Sequence, residues 1–149
     1  MMILLIILIL QLENLQCIQT LQELVTAVGV NTLYNHTADG ATAVGISALY
    51  NNTTGVNNTS IGAYASNNNT TGFQNTSIGA YALYNNTTGA NNTVIGQNAG
   101  RNATGSGNIF IGIGSGSNET GDNKLYIENS GSTTPLVYGE FDTDYLKAA

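Results

Sequence analysis

Apolar and polar residues recur along this chain in a fixed order every 16 or 17 residues. One column reads Val28, Val44, Ile61, Ile78, Ile95 and Ile111, each followed by Gly. Two residues earlier stands Thr26, Thr42, Thr59, Thr76 and Thr93, with Ile109 departing. Three residues before the Val/Ile column stands Asn58, Asn75, Asn92 and Asn108, and four after it Thr32, Ala48, Ala65, Ala82, Ala99 and Ser115. Leu33, Leu49 and Leu83 follow in the next column, where Ser66 and Gly100 depart. The alternation around Thr-x-Ile-Gly predicts a short strand in each repeat. The period is too short for a helical hairpin and suits one coil of a β-solenoid, with two short strands and two turns per coil. Six coils between residues 28 and 127, at ~4.8 Å each, make a rod on the order of 30 Å long. The inward positions are expected to be Val, Ile, Ala and Thr, with an occasional Leu. The Val28, Val44, Ile61, Ile78, Ile95 and Ile111 column is thus expected to stack as a buried core.

The turns carry their own columns: Asn52-Thr53-Thr54-Gly55, Asn69-Thr70-Thr71-Gly72, Asn86-Thr87-Thr88-Gly89, Asn102-Ala103-Thr104-Gly105 and Asn118-Glu119-Thr120-Gly121. Asn and Gly at these offsets are expected to supply left-handed backbone positions. Identical Asn and Thr side chains stacked coil on coil would pair their polar groups along the axis. One coil holds little apolar volume, which implies that several copies share a core.

Segments such as Asn75-Thr76-Ser77-Ile78-Gly79-Ala80-Tyr81-Ala82-Leu83-Tyr84-Asn85-Asn86-Thr87-Thr88-Gly89 resemble the head repeats of trimeric autotransporter adhesins. They resemble still more the related repeats of phage tail fibres and tail-fibre-like bacterial surface proteins. The stretches 123–129 and 135–141 are similar to a segment that often precedes an intramolecular chaperone of the endosialidase type. The resemblance covers roughly residues 26–146, is specific for architecture and weak for ligand. It implies an all-β, left-handed parallel β-roll assembled as a homotrimer. No part of this sequence matches the chaperone or a membrane-anchor barrel.

Three segments follow: an apolar N-terminal segment over 1–24, repeats over 25–127, and C-terminal strands with an acidic tail over 128–149. Residues 1–10 are continuously apolar, and Leu12, Leu15, Ile18, Leu21 and Leu24 follow at three-residue steps. The run is too short to span a membrane as a helix. A helix over about residues 3–24 would be apolar nearly all round at its start and must be buried. Three readings stand: a helix joining or registering subunits, a signal peptide, or a membrane-associated segment. The signal reading lacks a preceding Lys or Arg and a clear cleavage site.

Charge narrows the function. The chain has nine acidic and three basic residues, for a net charge of −6. No Asp, Glu, Lys or Arg occurs from Gly40 to Gly100. A nucleic-acid partner is therefore not expected. An uncharged Asn/Thr surface suits an extracellular, cell-surface or virion fibre, and the strict apolar register argues against disorder. Cys17 is the single cysteine, so no intrachain disulfide framework is expected.

Candidate chemistry is sparse. His36 stands in an Asn turn column beside Asn52, Asn69 and Asn86, as a turn residue. No His/Cys spacing suits a metal. Gly112-Ile113-Gly114-Ser115-Gly116 lacks the Lys of a phosphate loop and reads as a degenerate turn. Asp142 and Asp144 read as a solvated tail rather than an acid/base pair. Asn35, Asn51, Asn57, Asn68, Asn75, Asn85, Asn91, Asn102 and Asn118 head Asn-x-Ser/Thr triplets, which the turn chemistry already demands. Tyr34, Tyr50 and Tyr84 share one column and Tyr64 and Tyr81 another. They form either a stiffening ladder or a candidate glycan-contact ladder. The expected protein is a non-enzymatic fibre subunit without cofactor, used for attachment to a surface glycan or receptor. The alternative is a self-polymerising extracellular filament joined end to end through its apolar N-terminus. An ice-binding solenoid fits less well, because only one Thr per coil faces each way.

Overall fold

A computed structural model describes residues 24–130 and 134–148. The helix expected over about residues 3–24 and Cys17 lie outside the described residues, apart from Leu24. Within them, the chain is a parallel β-solenoid of about six coils, and no helix is present. Each repeat contributes one strand: β1 (Thr26–Val28), β2 (Thr42–Val44), β3 (Thr59–Ile61), β4 (Thr76–Ile78), β5 (Thr93–Ile95), β6 (Ile109–Ile111) and β7 (Lys124–Ile127). They pair in parallel and in sequence order, with Ile61 opposite Ile78 and Ile78 opposite Ile95. Two antiparallel strands, β8 (Val137–Glu140) and β9 (Tyr145–Ala148), extend the sheet from β7. The expected acidic tail is thus part of a hairpin: Asp142 and Asp144 occupy the exposed turn between β8 and β9.

The second strand expected in each coil is replaced by turns. Its backbone is nevertheless paired to the neighbouring coil: Leu33 N–H donates to Ala48 O at 3.0 Å, Asn35 to Tyr50 O at 3.0 Å and Thr37 to Thr53 O at 3.0 Å. Leu33, Leu49 and Leu83 hold left-handed φ angles of 50–54°. Such a conformation costs a non-Gly residue about 1–2 kcal/mol. Burial of these leucines, at most 3% exposed, offsets it.

The phase of the strands corrects the expected core. The middle residue of each strand points inward: Ala43, Ser60, Ser77, Val94 and Phe110 are fully buried. The flanking Val/Ile column stacks in register but points outward, with Val28 49%, Ile78 36% and Ile111 38% exposed. Thr42, Thr59, Thr76 and Thr93, on the same outer face, are half-buried. A strand has period two, so a one-residue change of phase exchanges its faces. The opposite wall decides the phase, because where Leu49 or Leu83 already fills the tube only a small strand residue such as Ala43 or Ser77 fits beside it. Six residues after each inward strand residue the chain returns across the tube, and large faces small in Ala43 with Leu49, Ser77 with Leu83, Val94 with Gly100 and Phe110 with Gly116, whereas Ser60 and Ser66 are both small. A methyl group on Gly116 would lie 2.7 Å from the Phe110 Cγ.

The core consequently divides. Leu33, Ala41, Ala43, Ala48 and Leu49 form one apolar cluster, and Ala82, Leu83, Val94, Ala99, Ala103 and Phe110 another. Between them Ser77 Oγ lies 2.8 Å from both Ser60 Oγ and Ser66 Oγ, so three buried hydroxyls satisfy one another.

Two glycine columns have different causes. Gly45, Gly62, Gly79 and Gly96 have φ of 132–138°, and a Cβ on Gly45 would meet Gly62 O at 2.5 Å. Gly55, Gly72 and Gly89 do not adopt the expected left-handed backbone. A Cβ there would collide with the carbonyl of Gly72, Gly89 and Gly105 respectively, so these glycines permit close stacking of coils.

Candidate functional site

Asparagine occupies three stacked columns, each with a different task. The innermost contains Asn52, Asn69 and Asn86, all buried. Each amide N–H₂ donates to the carbonyl three residues on, in Gly55, Gly72 and Gly89, at 2.8–2.9 Å. The same Nδ2 atoms also run back along the axis: Asn86 to Asn69 Oδ1 at 3.1 Å, Asn69 to Asn52 Oδ1 at 2.7 Å, Asn52 to His36 Nδ1 at 2.8 Å. These asparagines are internal clamps rather than left-handed turn residues. His36 ends their ladder as an acceptor, and burial pushes its imidazole below its ordinary value of 6.5. At the two ends of the ladder, His36 Nε2 and Asn86 Oδ1 are buried without a protein partner. Asn86 lacks one because Ala103 stands in the column in the next coil.

The expected alignment of Asn102 and Asn118 with that column is corrected here. They extend a second column on the outside, where Asn35, Asn51, Asn68, Asn85, Asn102 and Asn118 join amide to amide at 2.7–3.2 Å. The shift arises because the 16-residue repeats omit a residue between the outer Asn and the following Gly. Beside this ladder, Thr37, Thr53 and Thr70 donate their hydroxyls to the carbonyls of Thr53, Thr70 and Thr87 at 2.8–3.0 Å. Asn35, Asn51, Asn68 and Asn85 with Thr53, Thr70 and Thr87 line an open, uncharged groove. The third column clamps coils from the inside: Asn58, Asn75 and Asn92 accept from the backbone N–H of Asn75, Asn92 and Asn108 at 2.9–3.0 Å. Their amides donate to Gly72, Gly89 and Gly105 O at 2.7–3.0 Å. Of the Asn-x-Ser/Thr triplets, those headed by Asn52, Asn58, Asn69, Asn75 and Asn86 start at buried asparagines.

The tyrosines divide into two groups. Tyr34 and Tyr50 stack, with centroids 5.0 Å apart and planes 5° from parallel. Tyr64 and Tyr81 stack at 5.1 Å and 14°. Tyr84 is separated from Tyr50 by Asn67 in its column and tilts instead against Tyr81, at 5.5 Å. Arg101, one repeat beyond Tyr84, is exposed and lies over Tyr81 at 5.2 Å and Tyr84 at 5.9 Å. Sequence reasoning did not single out Arg101, although its 17-residue distance from Tyr84 was there to be read.

The outer Val/Ile column continues past Ile111 through Ile127, 37% exposed, so an apolar stripe runs the length of the parallel sheet. The degenerate Gly-rich segment belongs to the coil: Gly112 continues the glycine column and Ser115 Oγ donates to Tyr126 O at 3.0 Å. At the C-terminal end Tyr126 donates to Glu119 at 2.7 Å, and burial followed by this bond pushes its phenol up. Tyr138 donates to Glu140 Oε1, which also pairs with Lys124 Nζ at 3.1 Å. These bonds hold the Glu140 carboxyl below its ordinary range, Tyr138 foremost, and raise Lys124. Among the described residues, no three His, Cys, Asp or Glu side chains gather where a metal could bind. Comparison with protein-family models, curated proteins and solved structures found no match.

Proposed function

We propose that this chain is a non-enzymatic subunit of an extracellular, cell-surface or virion fibre, in which three copies pack along their outer Val/Ile stripes. The stripe is the observation that carries the reading. Six of its seven residues are 36–49% exposed, and they recur once per coil in strict register. Contiguous apolar surface of this kind marks an association site on a soluble rod. These side chains sit on the outward phase of their strands, so a second copy is their natural cover. Threefold association and a left-handed coil are what the resemblance to adhesin and tail-fibre repeats adds. The uncharged Asn/Thr groove and the Tyr groups then form the outer coat through which such a fibre would touch a glycan or receptor.

A second reading is favoured by one feature. β9 is exposed throughout, and its free edge could accept a strand from another copy. End-to-end growth would give a filament, with the apolar segment before residue 24 as the proposed joint.

Ile78→Asp separates fold from assembly. On a single chain the site is exposed, so the variant keeps its strand circular dichroism. Packed between copies it would bury unpaired charges, so the trimer mass falls to that of a monomer. A monomeric parent protein, or a variant that assembles unchanged, refutes the trimer. Long filaments in electron microscopy support the second reading.

A further inference from the structure

We propose that Arg101, Tyr81 and Tyr84 form a binding subsite for an acidic saccharide, read through its carboxylate. This deepens the attachment reading above and names its ligand class. Arg101 is the sole charge between Asp39 and Glu119 in the sequence. Among the described residues, the one ion pair is Lys124–Glu140, and it does not involve Arg101. The guanidinium therefore carries its charge without a carboxylate partner. It is held over two aromatic rings, 5.2 and 5.9 Å from their centroids. Aromatic contact fixes the long side chain and leaves its planar fork of N–H donors free at the edge. Such a fork matches a carboxylate bidentately.

The neighbours favour a sugar acid over a bare anion. One face of Tyr81 is covered by Tyr64 and Arg101 also lies over that ring, so sugar stacking is not the mode available. The phenol hydroxyls remain as hydroxyl partners. Asn85 and Asn102, beside Tyr84 and Arg101 in sequence, donate one N–H each along the outer ladder, and their second N–H is left for a ligand. One cation among neutral hydrogen-bonding groups suits a saccharide bearing one carboxylate among hydroxyls. It does not suit a polyanion read by charge density. One such contact is weak. Repetition on the copies of an oligomer would multiply it on a polymeric acidic glycan.

The test uses the full chain and a uronic-acid trisaccharide, followed by the Arg101 side-chain N–H and tyrosine ring resonances. The neutral methyl ester of the trisaccharide and free acetate serve as comparison probes. The expected result is saturable binding of the acid at millimolar concentration or below. The ester should bind at least tenfold more weakly. Arg101→Gln should lose at least tenfold in affinity, and Arg101→Lys should fall in between. No saturable binding of the acid overturns the proposal, as does unchanged affinity in Arg101→Gln. Acetate binding as tightly as the trisaccharide also overturns it, since the sugar would then contribute nothing. The mass of the same sample is measured in parallel. A binding monomer refutes the trimer alone, and a trimer without binding refutes the subsite alone.

Discussion

Asn68 and Asn69 are adjacent, identical in type and opposite in consequence. Asn69 is 1% exposed and belongs to the inner ladder. Replacing it with Ala removes its bonds to Asn52 Oδ1 (2.7 Å) and Gly72 O (2.9 Å), and the bond it accepts from Asn86 (3.1 Å). Gly72 O keeps its bond from Asn58, and Asn86 keeps its bond to Gly89 O. Among the side-chain heavy atoms that bonded to Asn69, only Asn52 Oδ1 is left buried with no hydrogen bond at all. Stranding such an acceptor costs about 1–3 kcal/mol, and each of the other two bonds contributes about 0.5–1.5 kcal/mol. Asn69→Ala should therefore destabilise by about 4 kcal/mol. Asn68 also loses two amide bonds, to Asn51 and Asn85. It is half-exposed, so water replaces them, and Asn68→Ala should cost under about 1 kcal/mol. Urea unfolding followed by circular dichroism measures both, at one protein concentration because association shifts apparent stability. Equal losses, or a cost below about 1 kcal/mol for Asn69→Ala, would refute the division into a structural inner ladder and a replaceable outer one.

Three further outcomes are expected. Burial depresses the His36 pKa, so the folded chain prefers neutral imidazole. The stability this gives is present above the unfolded value of about 6.5 and is lost as pH falls below it. His36→Asn should extend the ladder and abolish the change in unfolding midpoint between pH 7.5 and pH 5.5. Gly116→Ala should destabilise by driving its methyl into the Phe110 ring, and Phe110→Val in the same chain should recover part of the loss, since a smaller residue vacates the space; a thermal-melt double-mutant cycle showing simple additivity would contradict the compensation. Gly62→Ala should prevent the coil from closing, because its φ is +138° and a Cβ would lie 2.5 Å from Gly79 O; a soluble variant with parental strand content would count against that.

Much of this architecture is legible in the sequence. Thr-x-Ile-Gly marks each strand, and the repeat spacing sets which residues pair, down to Ile61 against Ile78. The direction each residue faces is not legible. Alternation reads equally well in both phases, and apolarity alone points to Ile as the core. The deciding fact is the opposite wall, where Leu49 leaves room for Ala43 but not for a larger residue. Nor could the turn quartets reveal where a short repeat loses its residue. Asn102 lies three residues before its Gly, as Asn86 does, yet it bonds with Asn85. The candidate site was half visible: the Tyr columns stood out by residue type, whereas Arg101 shares their spacing but not their type.

The two amide ladders also give the rod a sense of direction. In the inner one every Nδ2 donates toward the N-terminal coils, from Asn86 through Asn69 and Asn52 to His36. In the outer one every donation runs the other way, from Asn35 to Asn118. Reversing one amide would set donor against donor and acceptor against acceptor at its neighbours. The columns therefore turn as wholes or not at all. A coil inserted by duplication of one 17-residue unit inherits both orientations from the coils beside it. Rod length can thus change in whole repeats while each end keeps its own face, much as a chain of magnets can gain a link without exchanging its poles.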